Sequence, residues 1–179
     1  MSQATLAPQS RARQLWLKWR FHLNILLLLI PLGFMPRYFA EARLFRGDSG
    51  LGAHLISAIP VGPYSIDLAE MRDEAPRADG PAGHFKQFNA ALCSGCQDKV
   101  KALYLRIGKP RSLRAAGTIF FGTPYRMGTS LPIPPRTQPD ARVWITLEGW
   151  DGSMHQASVA LADASPATVA WLKKQGGKK

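Results

Sequence analysis

The chain has 179 residues and a formal net charge of +11. This length accommodates one domain with a sizeable core and excludes two large ones, and a composition of 46% hydrophobic and 20% charged residues excludes a wholly disordered protein. The basic excess is spread along the chain, with its one dense cluster in the C-terminal lysines, so nucleic acid is not an expected partner.

The N-terminal 39 residues have the pattern of a membrane anchor. Residues 1–20 contain four basic and no acidic side chains, and Trp16 and Trp19 lie just before an apolar run. Positive charge is retained in the cytoplasm and aromatic side chains favour the membrane interface. Residues 21–39 form about 28 Å of helix, which is near the thickness of the hydrocarbon layer. We therefore predict a cytoplasmic tail and one transmembrane helix in a bacterial inner membrane, with the C-terminal domain in the periplasm.

A cleaved signal peptide is the alternative for the same segment. Pro31 and Pro36 weaken the helix, and Ala40-Glu41-Ala42 has the small-residue spacing of a cleavage site. Arg37 lies between the apolar run and that motif and favours a retained anchor. Both alternatives export the rest of the chain, which we divide into a glycine-rich linker at residues 40–53 and a β domain at residues 54–179.

Alternating apolar residues predict strands in the exported domain. Tyr64, Ile66 and Leu68 have the period-2 pattern of a half-buried strand, and the segment 85–92 continues in extended form up to a cysteine. The segment 143–161 predicts a hairpin that turns at Asp151-Gly152.

Two further segments complete the predicted elements. Proline spacing in residues 124–139 predicts a long loop without regular structure. Ser165-Pro166 predicts the start of a short helix that runs to about Lys173.

These elements predict a mainly β fold, an antiparallel immunoglobulin-like sandwich of about six or seven strands with an N-terminal transmembrane helix and a short C-terminal helix. The alternative is a thioredoxin-like α/β fold. It requires residues 98–107 to be helical, and their apolar spacing fits either a strand or one face of a helix.

Cys93 and Cys96 are the two cysteines of the chain. They form the one motif in the sequence that indicates a specific chemistry. In an exported protein a Cys-x-x-Cys pair is a small-loop disulfide, a soft-metal site or a redox pair. A thiolate pair suits Cu(I), a soft cation, when a histidine or methionine completes the site. We take His84 and His155 as the completing ligands, because His155 shares a strand face with apolar residues. Further candidates are His54, Met127 and Met154.

The redox alternative would make Cys93 the nucleophile and Cys96 the resolving thiol, at the N-terminus of a helix that lowers the first thiol pKa. Serine-triad, zinc-protease and phosphate-loop patterns do not occur in the sequence. We therefore expect a protein that is not an enzyme, with an oxidoreductase as the enzymatic alternative.

With its anchor, its Cys-x-x-Cys pair and the hairpin sequence Gly149-Trp150-Asp151-Gly152-x-x-His155-Gln156-Ala157-Ser158, the chain resembles small single-pass proteins that accompany metal-uptake systems in Gram-negative bacteria. The resemblance implies a periplasm-facing accessory protein of a metal-uptake or trafficking system, with a protein partner in the inner membrane or periplasm. The choice of copper as the bound metal rests on the thiolate pair. We predict such an accessory or interaction protein. The alternatives are an anchored thiol–disulfide oxidoreductase and a structural subunit of a membrane complex.

Overall fold

A computed structural model describes residues 10–46 and 50–176 of the chain. The chain divides after Ala42 into an N-terminal unit and a C-terminal unit. The N-terminal unit is helical, and the C-terminal unit is mainly β with two short helices at its end.

One long helix, α1, extends over Arg11–Arg46 and contains Pro31 and Pro36. Its part from Arg11 to Arg43 is long and apolar enough to cross a membrane, and none of the most apolar stretch is buried within the protein. The helix is therefore compatible with the predicted membrane anchor. It continues through the first part of the segment predicted as a linker; residues 47–49 of that segment lie outside the described residues.

In the part of the chain that the structure describes, ten strands follow in two antiparallel sheets. Their bounds are β1 Ala53–Val61, β2 Tyr64–Glu70, β3 Arg77–Ala78, β4 His84–Leu92, β5 Val100–Ile107, β6 Thr118–Ile119, β7 Phe121–Thr123, β8 Arg126–Ile133, β9 Arg142–Gly149 and β10 Met154–Ala160. The first sheet has the order β1-β2-β4-β8-β7, with β3 beside β4, and the second has the order β10-β9-β5-β6. Helices α2 and α3 cover Leu161–Ala164 and Pro166–Gly176.

The two sheets share one hydrophobic core. Leu68 and Phe88 of the first sheet and Leu105 and Ile145 of the second belong to the same cluster of buried side chains, and Leu161 of α2 joins it. Alternation places these side chains on one face of each strand. The prediction of a mainly β domain is thus confirmed, as are the 143–161 hairpin and the helix that starts after Ser165.

The thioredoxin-like alternative is wrong, because the segment it needs as a helix is strand β5. In β5 buried and more exposed residues alternate, and the strand pairs with β9 over its length. The apolar spacing of this segment fits either a helix or a strand. The strand forms because its backbone pairs with β9 on one side and β6 on the other.

The long loop predicted for residues 124–139 is also wrong in its first half, which forms β8. Strand β7 pairs with β8 only at residues 126–128 of β8. Pro132 lies beyond this paired part and pairs with β4 alone in this sheet. A residue without a backbone N–H is tolerated at such an edge position.

Candidate functional site

The antiparallel pair β2–β4 has a candidate site at each end. At one end Cys93 follows β4 and forms a disulfide with Cys96, with the two Cα atoms 5.4 Å apart. The Cys96 backbone N–H donates to the Cys93 carbonyl at 3.1 Å, and the Ser65 N–H donates to Cys93 Sγ at 3.3 Å. Cys96 is 9% exposed and belongs to the hydrophobic core. The disulfide therefore closes the tight turn that leads from β4 into β5.

The structure places the two predicted histidine ligands in different surroundings. His84 begins β4, so it is about 30 Å of extended strand away from Cys93. Its ring lies against Trp171, with the ring centroids 4.6 Å apart. A metal bound to the two cysteines is beyond the reach of the His84 ring.

His155 lies on β10, where its ring packs over Gly62 and is 5.9 Å from the Tyr64 ring. A side chain larger than hydrogen at residue 62 would overlap the imidazole, since an added Cβ would lie 2.3 Å from ring atoms. The structure thus brings Cys93 and Cys96 together as a disulfide. Copper binding by this pair stays a prediction, and it requires reduction to thiolates.

Glu70 occupies the other end of the β2–β4 pair. It is the last residue of β2, on the same buried face as Ile66 and Leu68, and it is completely inaccessible to solvent. Its Oε1 is 2.5 Å from His54 Nδ1, and its Oε2 is 2.7 Å from Lys86 Nζ. The Ser165 hydroxyl donates to Oε2 at 2.5 Å. One carboxylate thereby joins β1, β2, β4 and the start of α3.

Lys86 is 4% exposed and its ammonium has three acceptors. Besides Glu70, these are the backbone carbonyls of Arg72 at 2.7 Å and of Glu74 at 2.5 Å. A buried ammonium is tolerated when its donors are satisfied in this way. Lys86 therefore fixes the loop after β2 to the middle of the first sheet and leaves no donor free for a ligand.

His54 reaches Glu70 because β1 is irregular. The register of β1 against β2 shifts twice, between Ala53 and Ile56 and again between Ile56 and Ile59. His54 has φ +48° and Ala58 has φ +53°. Such a backbone conformation costs about 1–2 kcal/mol for a residue with a side chain. Bulges of this kind redirect side chains beside functional sites, and here the irregularity aims an imidazole at a buried carboxylate.

Asp73 brings a second carboxylate to the same place, with Oδ1 4.0 Å from His54 Nδ1. The ligand atoms of His54, Glu70 and Asp73 all lie within 4.8 Å of one another. Among the residues that the structure describes, this is the single cluster of three histidine, cysteine or carboxylate groups with metal-binding spacing. We call these three residues the HED cluster.

The HED cluster is not the site of a serine hydrolase. The Ser165 hydroxyl contacts the Glu70 carboxylate and the Thr168 hydroxyl, at 2.8 Å, and is fully buried. A nucleophilic serine needs an imidazole as its base and access to substrate. The hydrogen bond from Ser165 instead ties the N-terminus of α3 to the carboxylate.

This end of the strand pair is not among the sites predicted from the sequence, although part of its signal is local. Glu70 continues the alternation of Tyr64, Ile66 and Leu68, and Lys86 alternates with Phe88 on β4. A carboxylate and an ammonium at inward positions form a buried ion pair where their two strands are adjacent, and that adjacency comes from the fold. His54 was a secondary candidate ligand for the cysteines, and the structure pairs it with Glu70 instead.

A third polar group lies on the outer face of the second sheet. Lys101 Nζ is 2.6 Å from Glu148 Oε1, and the Tyr104 hydroxyl donates to Oε2 at 3.3 Å. The Lys101 hydrogen bond holds the pKa of the Glu148 carboxyl below its ordinary value, and Glu148 in turn raises the pKa of Lys101. Burial, followed by the Glu148 charge, raises the pKa of Tyr104. The Lys101–Glu148 contact therefore joins β5 to β9 through charged side chains as well as through the backbone.

A family model described as "Uncharacterised conserved protein UCP029505" matches residues 15–162. No curated protein and no solved structure matches the chain. The matched region begins inside α1 and ends in α2, so it includes both the apolar helix and the two sheets.

Proposed function

The chain belongs to the UCP029505 family. We propose that it is a membrane-anchored accessory protein whose β domain acts in the bacterial periplasm without catalysing a reaction. The observation that carries the proposal is α1, whose apolar side chains are exposed along the helix. Apolar side chains in such number require a lipid or protein environment.

The basic residues at the start of α1 support the orientation. Arg11, Arg13 and Lys18 precede the apolar stretch, and positive charge of this kind is retained on the cytoplasmic side. The Cys93–Cys96 disulfide agrees with this orientation, since structural disulfides persist in oxidising compartments such as the periplasm. We further propose that the two sheets form an immunoglobulin-like sandwich.

An exposed apolar group on the β domain supports a protein partner. Ile119, Phe121 and Tyr125 are 51%, 71% and 54% exposed and lie in or beside the short strands β6 and β7. Strand β7 ends the first sheet and β6 ends the second. Exposed apolar side chains beside sheet edges are typical of surfaces that contact another protein.

The orientation is tested with two single-cysteine additions. Asp79→Cys and Ser10→Cys each place a free thiol at an exposed position, one in the β domain and one before α1. In intact cells with a permeabilised outer membrane, a membrane-impermeant maleimide should label Asp79→Cys and leave Ser10→Cys unlabelled until the inner membrane is opened. Labelling of Ser10→Cys alone would overturn the proposal.

The partner contact is tested by site-specific photo-crosslinking in cells. A photoreactive amino acid at Phe121 should give a discrete crosslinked band, whereas the same amino acid at exposed Asp79 should give none. Equal crosslinking at the two positions, or none at either, would contradict a specific contact at β6 and β7.

An anchored thiol–disulfide oxidoreductase is the second candidate, and one contact favours it. The Ser65 N–H that donates to Cys93 Sγ would also stabilise a Cys93 thiolate. Against it, Cys96 is in the core and the pair is followed by β5, so no helix N-terminus lowers the pKa of the first thiol. A reduction potential near that of cellular dithiol catalysts would support this candidate, and a strongly reducing potential would exclude it.

A further inference from the structure

We propose that the HED cluster of His54, Glu70 and Asp73 binds a divalent transition-metal ion of the Zn²⁺ class. The proposal concerns a site away from the cysteines and does not depend on the location of the β domain.

The donor atoms are already close to the positions that one ion requires. His54 Nδ1 and Glu70 Oε1 are 2.5 Å apart, within hydrogen-bond distance. Ligands on a tetrahedral zinc ion, with bonds of about 2.0–2.2 Å, are roughly 3.3 Å from each other. The three donors lie between 2.5 and 4.8 Å apart. Movements of about 1 Å would therefore bring the three donor atoms to the spacing of ligands on one ion.

The groups around Glu70 orient it as a ligand. Lys86 and Ser165 both bind Oε2, so Oε1 is the carboxylate oxygen that faces His54. Metal-binding carboxylates and imidazoles are characteristically fixed by such outer hydrogen bonds. Lys86 also donates to two backbone carbonyls, which fix its ammonium on the Oε2 side of the carboxylate.

Because the other two ligands are exposed, an ion bound at this site would exchange with ions in solution. The His54 side chain is 37% exposed and the Asp73 side chain is 61% exposed, whereas Glu70 is fully buried. An ion bound here would have its protein ligands on one side and solvent on the other. Sites with an open position accept water or a further ligand, in contrast to closed structural sites.

The donor set defines the class of metal. One imidazole nitrogen and two carboxylate oxygens suit Zn²⁺, Mn²⁺ or Fe²⁺, while Cu(I) prefers sulfur ligands and Ca²⁺ and Mg²⁺ prefer oxygen alone. The two carboxylates and Lys86 together carry one net negative charge beside the ion. The cluster is thus chemically different from the site that the sequence predicts at the cysteines.

The test is zinc titration of the untagged full chain in detergent, by isothermal calorimetry. We expect one zinc ion per chain and at least a tenfold loss of affinity in Asp73→Asn. Asp73 is exposed, so this variant should fold. Asp79→Asn removes an exposed carboxylate further along the same segment and should bind zinc as the wild type does.

A cysteine variant and a spectroscopic probe separate this site from the disulfide. Cys93→Ser/Cys96→Ser should keep the zinc affinity, and Co²⁺ bound to the wild type should show visible ligand-field absorption without a sulfur-to-metal charge-transfer band. Absence of zinc binding, equal affinity of Asp73→Asn and Asp79→Asn, or loss of binding in the cysteine variant would each overturn the proposal. None of these results bears on the orientation that maleimide labelling measures.

Discussion

The two ends of the β2–β4 strand pair are built in opposite ways. At one end, two side chains three residues apart form a covalent bond that closes a turn. At the other end, Glu70 contacts His54, which is 16 residues away in the sequence, and Ser165, which is 95 residues away. It also contacts Lys86 of the adjacent strand. The first end is a local motif and the second is a product of the whole fold.

This difference indicates how each end contributes to stability. A disulfide over so short a loop removes little entropy from the unfolded chain. A buried carboxylate that satisfies a buried ammonium is strongly coupled to its surroundings, because removal of one partner leaves the other charged and unpaired. We therefore expect the noncovalent end to be the more sensitive to substitution.

The largest effect should come from Glu70→Ala. It leaves the buried Lys86 ammonium without its counter-ion and should lower the free energy of unfolding by about 3–5 kcal/mol. The measurement is urea unfolding of the full chain in detergent, followed by tryptophan fluorescence. Glu74→Ala is the control, since the Glu74 side chain is 67% exposed and its loss should change stability by less than about 0.5 kcal/mol. A loss of less than about 1 kcal/mol of unfolding free energy in Glu70→Ala would contradict the expectation that the Glu70 end is the more sensitive to substitution.

Gly52→Ala should give the next largest effect. Gly52 has φ +146°, and an added Cβ would lie 2.1 Å from the Glu70 carbonyl oxygen. The substitution should push β1 away from Glu70 and destabilise the fold by roughly 2–3 kcal/mol. Gly50→Ala is a matched control, because Gly50 has φ +77° but open space around its Cβ position. Its expected loss is about 1 kcal/mol, and equal losses in the two variants would show that the close approach to Glu70 has no effect.

Removal of the disulfide should have a smaller effect than removal of Glu70. For a loop of so few residues, loop-closure entropy predicts that Cys93→Ala/Cys96→Ala loses about 2 kcal/mol. The same urea experiment compares the oxidised wild type with this variant. If this variant loses more unfolding free energy than Glu70→Ala, the disulfide end contributes more to stability than the Glu70 end.

The smallest effect should be a change in acid sensitivity in Glu148→Gln. The folded-state pKa of Glu148 lies below its ordinary value of 4.5, so its contribution to stability is complete above that value and is lost as pH falls through the lowered pKa. Between pH 5 and pH 3, the wild type should therefore lose more stability than Glu148→Gln. Urea midpoints against pH provide the measurement, and parallel curves for the two proteins would exclude the Lys101–Glu148 pair as a contributor.

Much of the fold is predictable because its signals are local. The β9–β10 hairpin has alternating apolar residues on both sides of an Asp-Gly turn, and α3 begins at a Ser-Pro pair. Such patterns determine conformation over a few residues. Strand β8 was missed because prolines argue against strands in general, whereas an edge position of this sheet accepts Pro132.

The candidate site was predictable only in part, since its residues are brought together by tertiary contacts. Cys93 and Cys96 are a pair in the sequence and in the structure. The inward positions of Glu70 and Lys86 are visible in the alternation of their strands, but the sequence contains no sign that they are adjacent. His54 depends on two register shifts in β1, and neither has a local signature that would aim its ring at Glu70.

We propose that α1 anchors a disulfide-closed β domain outside the cytoplasm, and the oxidation state of Cys93 and Cys96 in cells tests this proposal most directly. Cells are quenched in acid, free thiols are alkylated, and the intact chain is weighed by mass spectrometry before and after reduction. We predict no alkylated cysteine before reduction and two after it. Two alkylated cysteines without reduction would contradict the account.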